Sequence, residues 1–208
     1  MEKHIVSENT DDAILWSLSI KGDQKALEIL YKRYYALLLN YGLKFSPDKD
    51  LIKDCIQDLF MNLYANSRIS TAQVTVRSYL LRSLRNIMVY KLETRRPIDS
   101  LEDINFNIPV NEDLIELLFP KNDEEMQLEN QLLEAISQLP SQQKTALYLR
   151  YVKGLSYKEV ANVMEINVQS SMNLTTRALT KLRALMKNEK YLLLIQFALI
   201  KLMSDADL

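Results

Sequence analysis

The 208-residue chain has one cysteine, Cys55, and one histidine, His4, and these two scarcities remove whole classes of chemistry. A lone cysteine excludes an intrachain disulfide, and a lone histidine far from it leaves no zinc-ligand spacing, so no cofactor is expected. Glycine, at 3, and proline, at 5, are too few to supply the turns of a sheet-rich fold. There is no phosphate-cradling glycine loop and no Ser or Cys with a usable histidine, so nothing supports an enzyme. Residues 1–12 are polar and acidic and lack the basic and apolar regions of a signal peptide, which predicts a cytoplasmic location. A strongly apolar stretch runs from Tyr191 to Met203, but it is shorter than the ~20 residues a spanning helix needs. Lys201 interrupts it, and a helix that packs or binds a partner is the better expectation.

What the chain does have is Leu, Ala, Lys, Glu and Gln throughout, a helix-forming composition. The fold class expected is all-α, with 48% hydrophobic residues filling two compact modules. Net charge is only −1, yet it is unevenly spread. Six bases against one acid give Thr75 to Pro97 a net +5, and nine bases against three acids give Pro140 to Lys190 a net +6. Between them, Ile98 to Gln131 holds ten acids and one lysine, a net −9, and with Pro97 just before it accounts for three of the five prolines. This segment reads as an extended acidic linker, helical at most after Asp123, and equally as a solvated tether.

The first module reads as four helices. Asp11 can cap one that runs to about Ile20, and Gly22-Asp23 breaks and restarts the chain. Ala26, Leu27, Leu30, Tyr31, Tyr34, Leu37, Leu38 and Tyr41 then form a core stripe at helical spacing. A third helix, about Asp50 to Asn66, points Leu51, Cys55, Ile56, Leu59, Leu63 and Tyr64 inward and Lys53, Asp54, Gln57, Asp58 and Met61 outward. The fourth, about Thr75 to Arg95, buries Val76, Tyr79, Leu80, Leu84, Ile87 and Met88 and stops before Pro97.

In the second module, Leu155-Ser156-Tyr157-Lys158-Glu159-Val160 carries a capping box, Ser156 with Glu159, and a hydrophobic staple, Leu155 with Val160. That helix ends near Met164, a turn follows at Glu165 and Ile166, and Asn167 caps a second helix from Val168 to about Lys187. Periodicity turns Val168, Met172, Thr175, Leu179, Leu182 and Met186 inward and leaves Ser170, Asn173, Arg177 and Lys181 outside. Such a pair suits a recognition helix in a major groove, though periodicity alone fits an ordinary helical hairpin as well; the basic charge favours DNA.

These residues resemble the extracytoplasmic-function sigma factors of bacterial RNA polymerase. The likeness runs from Asp11 to Lys187 in two blocks. Gly22-Asp23, Ala26-Leu27, Leu30-Tyr31, Tyr34-Tyr35, Asp54 to Phe60, Tyr79-Leu80 and Leu84-Arg85-Asn86 look like region two. Leu139-Pro140, Leu149-Arg150-Tyr151, Gly154 to Ala161, Arg177-Ala178-Leu179 and Lys181-Leu182-Arg183 look like region four. The resemblance implies residues 1–97 as region two, 98–130 as linker and 131–190 as region four, while the apolar composition of the tail makes 191–208 a C-terminal helix. It implies that Asp54, Gln57, Asp58 and Phe60 dock on the clamp helices of the polymerase largest subunit. It implies further that residues 66–75 and the helix bearing Arg82, Arg85 and Asn86 melt and hold the minus-ten element. Gln169, Ser170, Asn173, Arg177 and Lys181 would face the minus-thirty-five element, and the acidic linker would thread toward the RNA exit path. Core RNA polymerase, promoter DNA and an anti-sigma factor are the implied partners. Glu165, Met172 and Leu174 depart from the family, which often has glycine in the turn and bases early in the recognition helix, so the promoter sequence is not readable. A helix-turn-helix regulator that needs no polymerase is the competing reading.

Overall fold

The computed structural model describes residues 6–65, 74–95, 106, 131–132 and 134–186, with side chains to residue 94 in the second of these stretches. Most of the linker, residues 66–73 and the apolar tail lie outside the described residues. All regular structure among the described residues is helical. The chain divides into two compact units, residues 1–99 and 100–208.

In the first unit, α1 (Asp12–Ser19) begins where the Asp11 carboxylate accepts the Ala13 N–H, and α2 (Gln24–Gly42) begins where Asp23 accepts from Lys25 and Ala26. Gly22 between them has φ +91°, a left-handed turn that glycine enters without strain. Asp48 caps α3 (Lys49–Ala65) by accepting the Asp50 and Leu51 N–H groups, and the Thr75 hydroxyl accepts from Ser78 at the start of α4 (Val76–Arg95). Thus each of these four helices starts on a short oxygen-bearing side chain that satisfies otherwise orphaned donors. Helix α2 packs against α1, α3 and α4, so the core lies along its buried stripe of Ala26, Ile29, Leu30, Tyr34, Leu38 and Tyr41. Trp16 meets Tyr79 edge-on at 4.9 Å and ties α1 to α4. Asp12 accepts from both Arg33 and the Tyr34 hydroxyl, while Arg33 also donates to the Thr10 carbonyl at 3.0 Å.

Two expected core residues stand elsewhere. Tyr64 is 45% exposed and Tyr31 37%. Both sit at the edge of their helical stripes, where a large amphipathic ring can cover the core rim and keep its hydroxyl in water. Tyr31 packs on Tyr35 and Phe60, whereas the Tyr64 hydroxyl accepts from Gln24. Tyr79 and Ile87 are half-buried rather than buried.

The second unit is built on α5 (Ser141–Leu147), a π-helical turn at Tyr148–Val152, α6 (Tyr157–Met164) and α7 (Val168–Met186). Helical residues 134–137 precede α5, and Ala135 and Leu139 pack with Leu147 against Ala178, Leu182 and Met186 of α7. The capping box at α6 is complete: Ser156 N–H donates to Glu159 at 2.9 Å and Glu159 N–H donates to the Ser156 hydroxyl at 3.3 Å. Leu155 and Val160, the staple pair, are both fully buried.

One linker residue belongs to this core. Phe106 is 1% exposed, meets Tyr148 edge-on at 5.6 Å, and donates its N–H to the Ser141 hydroxyl at 3.3 Å. At least at this point the acidic segment is anchored on the second unit instead of running free, which its charge and lack of period had concealed.

Candidate nucleic-acid interface

Two helices of the first unit carry its candidate contacts. On α3 the 3.6-residue period separates a buried row, Leu51, Ile52, Cys55, Ile56, Leu59, Phe60 and Leu63, from the polar side. Asp54 and Gln57 are exposed on that side. Asp58, half-exposed, accepts from Lys91 of α4 at 2.6 Å, and this hydrogen bond holds the lysine ammonium above its ordinary pKa. Phe60 does not share the face. It is 5% exposed and packs edge-on against Tyr31 at 5.1 Å, so of the residues implied to dock it lies with the core row, apart from Asp54, Gln57 and Asp58.

On α4, Arg82 and Arg85 are half-buried and Asn86 is exposed, with Arg85 donating to the Asn86 oxygen at 3.4 Å. Asn86 lines a groove of about 480 Å³ between α3 and α4, together with Asp58, Met61, Asn62, Ile87, Tyr90 and Lys91. The structure therefore brings one implied DNA contact, Asn86, and one implied docking residue, Asp58, to a single groove. Met61 and Tyr90, 61% and 68% exposed, are large side chains on its rim that sequence reasoning left without a role. The period of α3 already turned Met61 outward, but that Tyr90 stands beside it on the same groove is visible only once α3 and α4 are packed. The implied melting loop at residues 66–73 lies outside the described residues.

In the second unit the turn between α6 and α7 is fixed by backbone geometry. Glu165 adopts left-handed angles, φ 58° and ψ 41°; its N–H donates to Asn162 O, and Ile166 N–H donates to Ala161 O. This is the Schellman closure of a helix, usually made with glycine. Asn167 then caps α7 by accepting the Ser170 N–H at 2.7 Å. Arg150 braces the start of α6 from the π-turn: it donates to Leu155 O at 2.9 Å and lies 4.8 Å from the centroid of the Tyr157 ring.

The inward row of α7 is Ser171, Thr175, Ala178, Leu182 and Met186. Val168 and Met172, expected inward, are 43% and 38% exposed, a correction with a definite cause. Ser171 and Thr175 occupy the buried stripe because their hydroxyls bond within the fold, Ser171 to Tyr157 O and Val168 O and Thr175 to Ser171 O. Thr175 was expected there from its spacing; Ser171 was not, because apolar periodicity cannot see a polar residue that satisfies itself.

Outside, Gln169, Asn173, Arg177 and Lys181 are exposed and Ser170 is half-exposed. Gln169 donates to Asn173 at 3.1 Å, and Lys181 donates to Gln138 O at 2.7 Å. The lysine is thus tied to the turn before α5 while its side chain stays open to solvent. The result is a helix-turn-helix whose second helix presents amides first and cations after, which suits base edges and phosphates in that order.

Comparison with known proteins agrees with this geometry. Residues 30–97 match the family model described as Sigma-70 region 2, and residues 129–182 match Sigma-70, region 4; together they span more than half of the chain. The chain is 26% identical over 163 residues to the ECF RNA polymerase sigma factor SigM of Bacillus subtilis, covering 76% of this chain and 94% of that one. It is 29% identical over 175 residues to the ECF RNA polymerase sigma-E factor of Escherichia coli K12, covering 78% and 87%. Among solved structures it resembles CnrH, determined in complex with the cytosolic domain of CnrY, with TM-score 0.56 and 21% identity over 86% of this chain and 98% of that chain. It also resembles the sigma factor RpoE of Bartonella quintana, determined in complex with the anti-sigma factor NepR, with TM-score 0.54 and 18% identity over 79% and 99%. Two sigma-70 regions in family order, on two helical units, place the chain in the extracytoplasmic-function branch of the RNA polymerase sigma factors, proteins of transcription initiation.

Proposed function

We propose that this sigma factor docks on core RNA polymerase through the outward side of α3, Asp54, Gln57 and Asp58, and holds the melted minus-ten element along α4 with Arg82, Arg85 and Asn86. On this reading α7 contacts the minus-thirty-five element with Gln169, Ser170, Asn173 and Arg177, and Lys181 stands near phosphate. The observation that carries it is the coexistence of an exposed acidic and amide face on α3 with an exposed amide and cation face on α7. Residues 1–97 act as region two, 98–130 as connector and 131–190 as region four, with no catalytic step of their own and a site of action in the cytoplasm. No helix among the described residues is long and apolar enough to cross a membrane.

An anti-sigma factor that covers both units is the proposed means of control, since two of the structurally similar proteins were captured with such a partner or with a second protein's cytosolic domain. Transcription in vitro with core polymerase and a promoter library tests the assignment. Asp54→Lys is the cleaner docking variant, because Asp58→Lys would also break the Asp58–Lys91 pair inside the unit. Loss of core binding by Asp54→Lys, with helicity unchanged, is the expected result. Core binding at full strength by the variant would take Asp54 out of the docking surface, and no core binding by the parent chain would favour a DNA regulator that needs no polymerase.

A further inference from the structure

The first two turns of α7 are chemically unusual for a DNA-reading helix. From Ile166 to Thr176 there is no charged residue, and the first cation is Arg177. Apart from the cap Asn167 and Thr176, what is exposed there is two amides, Gln169 and Asn173, and two apolar side chains, Val168 at 43% and Met172 at 38%. Guanine offers two acceptors in the major groove and is read chiefly by Arg or Lys. Adenine offers one acceptor and one donor, which an amide matches, and thymine adds a methyl group that an apolar side chain can cover. The bond from Gln169 to Asn173 uses one amide hydrogen and one amide oxygen, so the linked pair still carries an oxygen on Gln169 and an amide nitrogen on Asn173. That is the complement of an adenine edge.

We propose that Val168, Gln169, Met172 and Asn173 are the specificity-determining residues of α7 and that they select A·T pairs in the upstream promoter element. Gln169 and Asn173 read adenine, and Met172 with Val168 packs on thymine methyl groups. Arg177, one turn beyond Asn173 and exposed, anchors the helix on phosphate and carries no sequence preference. The inference rests on α7 being the reading helix, and it adds what that helix reads.

Holoenzyme assembled from the full chain and core polymerase, selected on a promoter library with the upstream element randomised and the downstream element kept, tests both layers separately. Enrichment of A·T pairs at two or more adjacent upstream positions is expected. Gln169→Arg should move one of them from adenine to guanine by roughly tenfold in relative occupancy. Replacing the selected thymine by deoxyuridine, which lacks only the methyl group, should weaken the parent protein severalfold and leave Met172→Ala indifferent. All four residues are at the surface, so these variants retain the fold. Selection of guanine by the parent protein, or a profile unchanged by Gln169→Arg and Met172→Ala, overturns the proposal while leaving α7 as a DNA helix. Transcription from the kept downstream element with no enrichment at any upstream position would instead remove α7 from DNA altogether.

Discussion

Glu165 shows how much a single dihedral angle can hold. It takes the left-handed conformation at the end of α6, φ 58°, where a side chain with a Cβ is strained by about 1 kcal/mol or more. Glycine relieves that strain but has more freedom to lose on folding, so Glu165→Gly should stabilise the second unit by about 0.5–1 kcal/mol. Glu165→Val should do the reverse, since β-branched residues tolerate this region least. Thermal melting of the two variants checks the pair, and a fall in midpoint for the glycine variant would contradict it. The turn itself was readable because Asn167 is a strong cap, but the sign of φ at Glu165 was not, because nothing local in a Met-Glu-Ile sequence announces it. Phe60 was ambiguous for a related reason: its place in a polar motif block and its apolar ring point opposite ways, and only the ring of Tyr31 beside it decides for the core.

Among the helices, the capped ones matched expectation most closely. Asp11, Asp23, Ser156 and Asn167 each start a helix as their side-chain chemistry requires. Close approach between helices is another matter. A Cβ added to Gly42 at the end of α2 would collide with the Ile52 side chain of α3, so this glycine serves packing and not a turn. Gly42→Ala should destabilise the first unit by about 1–3 kcal/mol, and Ile52→Ala should recover part of that in the double variant. Urea denaturation of the four proteins in the cycle gives the coupling energy; additive effects would mean that the two residues do not meet. The inward row of α7 was read correctly at Thr175, Leu182 and Met186 but not at its start, since Ser171, which takes the place expected for Val168 and Met172, is recognised as core only when its hydroxyl partners are known.

For the whole molecule, each unit has one strongly shifted tyrosine among its described residues. Burial, aided by the hydrogen bond to Asp12, raises the pKa of Tyr34, and burial alone raises that of Tyr148. The unfolded chain therefore releases these protons first, near pH 10. Their contribution is fully present below that pH and is lost as pH rises beyond it, so both units should weaken in alkali. Tyr34→Phe and Tyr148→Phe should each flatten the decline in urea midpoint above pH 10, and an unchanged slope would argue that these phenols ionise equally well in the folded state. The two units also offer separate probes. The single tryptophan, Trp16, reports on the first unit, whereas far-ultraviolet circular dichroism sees both. Phe106→Ala removes a buried ring from the second unit and should cost about 3 kcal/mol there. The expected signature is an earlier loss of helicity with the Trp16 emission transition unmoved, and a joint shift of both would show that the units unfold as one.

Helical composition, the caps, the +5, −9 and +6 distribution of charge and the two motif blocks were enough for the amino-acid order alone to specify an all-helical protein of two modules with a helix-turn-helix in the second. These features act over a few residues, and local chemistry dictates them. Tertiary packing alone decided that Ser171 lies inside α7 while Val168 and Met172 lie outside, that Asp58 is already bound to Lys91, that Phe60 is interior, and that Phe106 anchors the linker. Each of those depends on a partner many residues away, and hydrophobic period carries no information about which buried polar group will find its hydrogen bond or which ring will find a neighbour to pack against.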